Sequence, residues 1–197
     1  MTLTSSRHPR PPRSLVHAVL LTSLTVVSLP SAARAGQDVI TKESAAAVKA
    51  AFVADIEAMR VKFIGLAQAF PQDKYTWRPM EGVRSVSEVL MLIVSEGYGF
   101  APTSLGGKPA MAREEMAKLN AISDKTQVID HLNKGFAHAK QALDAIDPAT
   151  LVGKRRAMGQ DRSTPEITSF VAGDMHEHLG QLIAYARMNR IVPPWSK

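Results

Sequence analysis

The chain has 197 residues, a formal net charge of +6 and no cysteine. The lack of cysteine excludes a disulfide framework, a thiolate metal site and a cysteine nucleophile. The length is that of one domain with a sizeable hydrophobic core.

The first 35 residues have the features of a secretory signal peptide. Arginines at positions 7, 10 and 13 precede a mostly apolar run at 15–29, and residues 33–35 have the Ala-x-Ala pattern of a cleavage site. The apolar run is too short to span a membrane. We therefore predict a signal peptide at 1–35, cleaved after Ala35, and a mature domain at 36–197 that is periplasmic or secreted.

Removal of the signal peptide changes what the charge implies. Residues 1–35 carry four arginines and no acidic residue, so the net charge of the mature chain falls from +6 to +2. The positive charge that would favour nucleic-acid binding is lost with them. We therefore expect no nucleic-acid partner. No apolar run in the mature chain reaches about 18 residues, so we also expect no membrane contact after cleavage.

Two amphipathic helices are predicted in the first half of the mature chain. Helix one extends from about residue 44 to 70, and its apolar residues alternate in steps of four and three. Helix two begins at a capping box in residues 85–88 and is predicted to end near 98–101, before Pro102.

Two more helices are predicted in the second half. Helix three follows a weaker box at 124–127 and ends before Pro148, and helix four follows a box at 163–166 and ends near Arg190. No segment alternates polar and apolar residues, so we expect no strands, and Lys154-Arg155-Arg156 is assigned to a solvated loop.

The predicted fold class is therefore all-α. It is a four-helix bundle with long connections between helices one and two and between helices two and three, the second with a short helix at 111–119. The residues predicted to form its core are Phe52, Ile56, Phe63, Phe70, Ile129, Leu132, Phe136, Leu143, Ile167, Val171 and Tyr185.

Helix four carries polar residues on its inward face. The inward series is Ile167, Val171, Asp174, His178, Gln181 and Tyr185. Residues four apart share a helix face, so Asp174 and His178 lie one above the other. Buried polar groups need partners, so we predict that both are buried and face helix two near Leu92 and Glu96. The cluster is either a site inside the bundle or an Asp–His–Gln network that specifies packing.

His178 is the one histidine that lies squarely on a core stripe. His176 points away from the seam of helix four and is expected to be exposed. His131 and His138 flank the apolar seam of helix three, so we assign them to surface or boundary positions.

A metal site in a bundle needs three or four ligands that project inward from facing helices. Helix two offers Glu96, one turn after Leu92. The candidate metal ligands are therefore His178, Asp174 and Glu96, with Gln181 as a hydrogen-bonding neighbour of the ligands. No residue is assigned a catalytic role, because nucleophile and phosphate-loop motifs are absent.

Several motifs resemble those of the DinB-like (DinB/YfiT) superfamily. They are FPQDKYTWRP at 70–79, GVRS at 82–85, EVL at 88–90, EHLGQLI at 177–183, Tyr185, Arg187 and IVPP at 191–194. Together they span nearly the whole mature chain.

The resemblance implies a four-helix bundle that holds a metal with three histidines, one on helix two and a His-x3-His pair on the last helix. The last histidine matches His178, the histidine before it falls on Asp174, and the helix-two histidine falls on Leu92. One ligand is kept, one is replaced by a carboxylate, and one is lost. Members with known activity include thiol-dependent transferases and isomerases.

The incomplete ligand set favours a protein without metal-dependent catalysis over a metalloenzyme. We interpret the chain as an exported DinB-like protein of unassigned activity, a non-catalytic or weakly metal-binding bundle with a buried Asp–His–Gln cluster. The alternative is a divalent-metal-dependent hydrolase or thiol transferase. The cofactor is either none or a weakly bound Zn²⁺ or Ni²⁺. A small-molecule ligand and a homodimer are the partners that the sequence leaves open.

Overall fold

The computed structural model describes residues 40–196, so the signal peptide predicted at 1–35 and its cleavage site lie outside the described residues. The described part is mostly helical, as predicted. The elements are α1 (Lys42–Ala69), α2 (Val86–Ser95), a π-helical turn (Glu96–Phe100), α3 (Ala101–Ser104), α4 (Arg113–Leu119), α5 (Lys125–Asp144), β1 (Lys154–Ala157), β2 (Gln160–Ser163) and α6 (Thr164–Met188). Short 3₁₀ helices occur at Gln72–Lys74 and Pro148–Leu151. None of the helices in this part is both long and apolar enough to cross a membrane.

The four long helices pack around one hydrophobic core. Helix α1 packs against α5 and α6, and α2 packs against the same two helices. The predicted core residues are buried, with the exception of Ile129. Ile129 is half-buried because Val128 takes the inward position on the first turn of α5.

The helix starts follow from the capping residues in the sequence. Ser85 Oγ accepts a hydrogen bond from the Glu88 amide at 3.3 Å, and Glu88 Oε2 accepts one from the Ser85 amide at 2.7 Å. At α6, Glu166 Oε2 accepts from the Ser163 amide at 2.6 Å. Each box satisfies amides that the first helical turn leaves without intrahelical partners, which fixes where α2 and α6 begin.

The prediction that the chain has no strands is wrong, because β1 and β2 form an antiparallel hairpin with Ala157 paired to Gln160. The two-residue turn consists of Met158, with φ 46°, and Gly159, with φ 76°. Two successive positive φ angles are typical of the tight turn that matches the twist of a hairpin. The strands are four residues long and largely polar, so they lack the alternation by which strands are recognised.

The assignment of residues 154–156 to a solvated loop is also wrong, since they lie in β1. Arg155 is half-buried, and its guanidinium donates to the Leu105 carbonyl oxygen at 2.5 Å and to that of Thr150. Burial lowers the pKa of Arg155 from its usual value. The side chain therefore ties the hairpin to the end of α3 rather than facing solvent.

Helix two does not end before Pro102. The α-helical hydrogen bonding of α2 gives way to the π-helical turn at Glu96–Phe100, and α3 continues through Pro102 to Ser104. Proline is tolerated there because the Tyr98 carbonyl oxygen, which an amide at position 102 would otherwise bond, accepts from the Ala110 amide at 2.7 Å. A π-helical turn inside a helix is uncommon and occurs often at functional sites.

Two glycines set the distance between the π-helical turn and α5. A Cβ atom added to Gly97 would lie 2.8 Å from the backbone carbon and oxygen of Gly135. A Cβ atom added to Gly135 would lie 3.2 Å from the Val94 carbonyl oxygen. The two backbones therefore meet without side chains between them, which leaves no room for movement of the π-helical turn toward α5.

We predict that Gly97→Ala lowers the free energy of unfolding by about 1–3 kcal/mol, because the new methyl group overlaps the α5 backbone. Gly180→Ala is the matched control, since Gly180 is exposed on α6 and has nothing near its missing Cβ. The control should raise stability by up to about 1 kcal/mol through helix propensity. Urea unfolding of both variants checks this, and equal stabilities would contradict the close Gly97–Gly135 contact.

Candidate metal centre

The three predicted ligands meet between α2 and α6. Asp174 and His178 lie one turn apart on α6, and Glu96 is the first residue of the π-helical turn. One ligand atom from each side chain lies within 4.8 Å of the others. The sequence therefore identified the three side chains that the fold brings together.

Asp174 and His178 are less buried than predicted. Both are half-buried, as is Gln181, whereas Glu96 is buried with 4% of its surface exposed. The fully inward positions of α6 belong to Met175, Leu179 and Leu182. The polar residues lie on the flank of the buried stripe, where α6 faces the start of the π-helical turn.

The buried Glu96 carboxyl is incompletely satisfied. Its Oε2 atom is inaccessible to solvent and has no hydrogen-bond partner among residues 40–196. Burial, followed by the hydrogen bond and the negative charge of Asp174, raises the pKa of Glu96 to about 9, and the positive charge of Arg84 opposes this. An unpartnered buried carboxylate oxygen beside a second acid is an arrangement that a cation or a proton must stabilise.

A chain of hydrogen bonds fixes the tautomer of the neutral His178 ring. Tyr185 Oη donates to the Arg84 carbonyl oxygen at 3.0 Å, so it must accept from Gln181 Nε2, which lies at 2.8 Å. This orients the Gln181 amide so that its Oε1 faces His178 Nδ1 at 3.1 Å. Nδ1 therefore carries the proton in the neutral ring, and Nε2 keeps the lone pair that a metal requires.

This chain replaces the predicted Asp–His–Gln network. Among the described residues, the hydrogen bonds of His178 lead to Gln181 and onward to Tyr185, whereas Asp174 faces Glu96. The sequence predicts Tyr185 as a core residue and a motif residue, and it gives Arg84 no role beyond its place in the GVRS motif. The four-residue spacing of Gln181 and Tyr185 is the sequence signal for the middle of the chain.

Aromatic pairs lie at both ends of the seam between α2 and α6, which we call the α2–α6 groove. Phe100 contacts Phe170 with ring centroids 6.4 Å apart, and Trp77 contacts Tyr185 edge-on at 5.5 Å. The three candidate ligands lie between these pairs along the two helices. Packing at the ends therefore holds the backbones that carry the ligands in the middle.

The donor set fits a divalent cation. Two carboxylates and one neutral imidazole supply oxygen and nitrogen ligands, and their charge balances that of the ion. A cation would also satisfy the Glu96 oxygen that has no partner. Three protein ligands leave coordination positions open, as in catalytic rather than structural metal sites.

The other histidines of the described chain lie elsewhere, as predicted. His176 is exposed and its Nε2 lies 3.0 Å from an Asp55 carboxylate oxygen. His131 and His138 are both half-buried. The Nδ1 atom of His131 lies 3.2 Å from Tyr98 Oη, and the Nε2 atom of His138 lies 3.0 Å from the Lys108 carbonyl oxygen. None of them is part of the cluster at Glu96.

A surface cleft of about 660 Å³ lies apart from the candidate ligands. Its walls come from the loop after α3, the end of α5 and the side chain of Arg155. It shares no lining residue with the α2–α6 groove. Among the described residues, the three side chains that could together hold a metal ion lie at the ligand cluster and not in this cleft.

The sequence profile of the DinB superfamily matches residues 55–182 of the chain. The chain belongs to the DinB superfamily. A search of curated proteins and a search of solved structures found no significant match. The matched range includes Glu96, Asp174 and His178, and the recognition made from the sequence motifs is confirmed.

On α2, this DinB-superfamily chain departs from the three-histidine pattern that the resemblance implies. Leu92, onto which the helix-two histidine falls, is half-buried and lies one turn before Glu96. The side chain that reaches Asp174 and His178 is that of Glu96. The Glu96 carboxylate thus lies at the residue where α2 ends and the wider π-helical turn begins.

We predict that the metal-free protein loses stability as the pH rises from about 4.5 to 9. Over that range the unfolded chain releases the Glu96 proton, whereas the folded chain keeps it because its pKa is raised to about 9. The unfolded state then binds fewer protons, so stability falls by up to about 1.4 kcal/mol per pH unit.

Glu96→Gln is the matched comparison, because the amide is nearly the same size and does not titrate. Urea unfolding in the presence of a chelator measures the free energy of unfolding of both proteins. The free energy of the variant, relative to that of the wild type, should increase as the pH rises. Parallel pH profiles would contradict the raised pKa of Glu96.

Proposed function

We propose that this DinB-superfamily protein binds a divalent metal ion through Glu96, Asp174 and His178. The observation that supports the proposal most is the buried Glu96 carboxyl group. Its Oε2 atom has no partner among residues 40–196, and one of its oxygens lies within 4.8 Å of a ligand atom of each of the other two side chains. The hydrogen-bond chain from Gln181 adds support, because it leaves His178 Nε2 with its lone pair free.

The geometry favours metal binding over the weak or absent binding that the sequence suggested. The sequence suggested weak binding because Leu92, which cannot bind a metal, occupies the position of the third ligand. Glu96 supplies a third donor from the next helical turn, and its carboxylate is a good ligand for a hard cation. We propose Zn²⁺ or Mn²⁺ as the ion, since both accept carboxylate and imidazole ligands together.

The reaction class that this arrangement favours is metal-assisted hydrolysis or group transfer. A divalent ion bound here would supply Lewis-acid chemistry. The chain's own part is to hold the ligands: Gln181 orients the His178 ring, and the α2–α6 groove limits the access of water to Glu96. The half-buried Asp174 and His178 leave the site open to a small molecule from one side.

The wider architecture and location are also part of the proposal. We infer a four-helix bundle of α1, α2, α5 and α6, which is supported by the packing of α1 and α2 against both α5 and α6. Its connections between α1 and α2 and between α2 and α5 are long. We further propose that residues 1–35 direct export to the periplasm or beyond, and that the mature domain takes a small-molecule ligand, with a homodimer as its candidate assembly.

We predict that the wild-type protein binds one equivalent of Zn²⁺ or Mn²⁺ and that Glu96→Gln, Asp174→Asn and His178→Ala each weaken binding at least about tenfold. Each change removes one of three donors, and an amide is a poorer ligand than a carboxylate. Titration calorimetry after removal of metal measures the affinities.

Glu177→Gln is the control for this set. Glu177 is exposed on α6 beside His178 and is not part of the cluster. Its replacement should leave the affinity unchanged. If Glu96→Gln bound metal as tightly as the wild type, the third ligand would not be Glu96 and the proposed centre would be wrong.

We predict that the exported protein begins at Gly36. The Ala-x-Ala pattern at 33–35 and the basic, then apolar, segment before it motivate this. N-terminal sequencing of protein recovered from the periplasm or medium tests it. An Ala33→Tyr, Ala35→Tyr double variant should accumulate uncleaved, and retention of residues 1–30 in the wild type would disprove cleavage.

A further inference from the structure

The surface cleft beside Arg155 contains a half-buried cation without an acidic partner. We call this cleft of about 660 Å³, bounded by the loop after α3, the end of α5 and Arg155, the Arg155 cleft. The guanidinium donates to the carbonyl oxygens of Leu105 and Thr150, and among residues 40–196 it forms no ion pair with a carboxylate. A cation that is partly removed from water is stabilised by an opposite charge, which the described residues do not supply here.

The guanidinium is held in one position at the edge of the cleft. Its two acceptors lie on different segments, because Leu105 ends α3 and Thr150 lies in the 3₁₀ helix at Pro148–Leu151. The Nε atom of Arg155 is inaccessible to solvent, whereas the bond to Thr150 is exposed. Each terminal nitrogen keeps a second N–H group that no described residue accepts. The exposed edge of a fixed guanidinium therefore has donors to spare.

The walls of the Arg155 cleft are tied together at two points. At one, Gly106 has a φ of 89°, and a Cβ atom added to it would lie 3.2 Å from Arg155 Nη1, so the loop after α3 meets the guanidinium without a side chain between them. At the other, His138 Nε2 donates to the Lys108 carbonyl oxygen at 3.0 Å and joins α5 to the same loop. A preformed cleft binds a ligand without the cost of ordering its walls.

The floor of the cleft is apolar. Leu105 is buried, and Ala142 and Ile146 are half-buried on the side of α5 and the residues after it. A volume of this size and a mostly apolar lining with a few polar groups are typical of sites for small organic molecules. The lining therefore fits a hydrocarbon or aromatic body rather than a small hydrated ion.

The charges that line the cleft favour one negative charge on the ligand. Lys108 and Arg155 are positive, and Asp147 is negative. An Asp147 carboxylate oxygen accepts from the Ala149 amide at 2.9 Å, so that side chain is engaged in capping the 3₁₀ helix. With His138 neutral, the lining carries a net charge of one positive unit. The planar fork of Arg155 matches the two oxygens of a carboxylate.

We propose that the Arg155 cleft binds a small amphipathic carboxylic acid, with its carboxylate at Arg155 and its apolar body along α5. The site is separate from the proposed metal centre and does not depend on it. Arg155 thus has two roles, since it ties the hairpin to α3 and presents its remaining donors to the ligand.

The test is an NMR titration of the purified, ¹⁵N-labelled protein in the presence of a chelator, with octanoate, octan-1-ol and acetate as probes. We expect one octanoate to bind and to shift the amide signals of residues 105–108 and 138–147. Octan-1-ol should bind at least about tenfold more weakly, because it has the same chain without the charge. Acetate should also bind at least about tenfold more weakly, because it lacks the chain.

Two pairs of variants separate the cleft from the rest of the surface. Arg155→Gln should weaken octanoate binding at least about tenfold, whereas Arg156→Gln should not, because the exposed Arg156 lies next to it on β1 but does not line the cleft. Ala142→Trp should fill the cleft and abolish binding, whereas Ala137→Trp, at an exposed position of α5 outside the cleft, should leave it unchanged.

Lys108→Gln keeps the test decisive if Arg155→Gln does not fold, because Lys108 is absent from the contacts of the hairpin. It should weaken octanoate binding severalfold and leave the affinity for octan-1-ol unchanged. Equal affinities of the wild type for octanoate and octan-1-ol would overturn the carboxylate site. Undiminished binding by Ala142→Trp would place the ligand elsewhere and overturn it too.

The metal centre could also attract a carboxylate, and a second titration separates the two sites. The Zn²⁺-loaded protein should bind octanoate at residues 105–108 and 138–147 with unchanged affinity, and so should His178→Ala. Octanoate binding that requires Zn²⁺ and is lost in His178→Ala would overturn the Arg155 cleft while supporting the metal centre. Octanoate binding at the cleft by a protein that binds no Zn²⁺ would overturn the proposed function alone.

Discussion

The arrangement around the site depends on the burial of the Glu96 carboxyl against Asp174. Taking a carboxylate out of water is costly unless its oxygens find partners, and one Glu96 oxygen has none among the described residues. The backbone that carries this side chain is held in place, because the π-helical turn that begins at Glu96 is fixed by the contact between the Gly97 and Gly135 backbones. The core packing of α2 on α5 thus maintains an unfavourable acid pair that a cation would stabilise.

The opposite wall of the site is organised by directed hydrogen bonds. The Arg84 carbonyl can only accept, and this single fact sets the direction of every hydrogen bond from Tyr185 through Gln181 to His178. The chain joins the loop before α2 to α6 across the groove. It therefore contributes to packing and, with the same contacts, keeps one imidazole nitrogen free to bind metal.

Much of the fold could be predicted because it is encoded locally. Capping residues such as Ser85 and Ser163 mark helix starts, and the spacing of Asp174 and His178 places them on one face. The π-helical turn could not be predicted, because it depends on the approach of Gly135, which is distant in sequence. The hairpin was missed because its strands are short and polar, and its turn uses Met158 where asparagine is usual. The half-burial of His178 depends on the tertiary packing of α6, which turns Met175, Leu179 and Leu182 fully inward, and no local pattern encodes that packing.

The exchange of ligands alters the electrostatics of the site as well as its donor atoms. Three neutral histidines, as the family resemblance implies, would leave a divalent ion with its full charge to attract an anionic substrate. Two carboxylates remove that charge, so the metal by itself no longer provides a strong positive field.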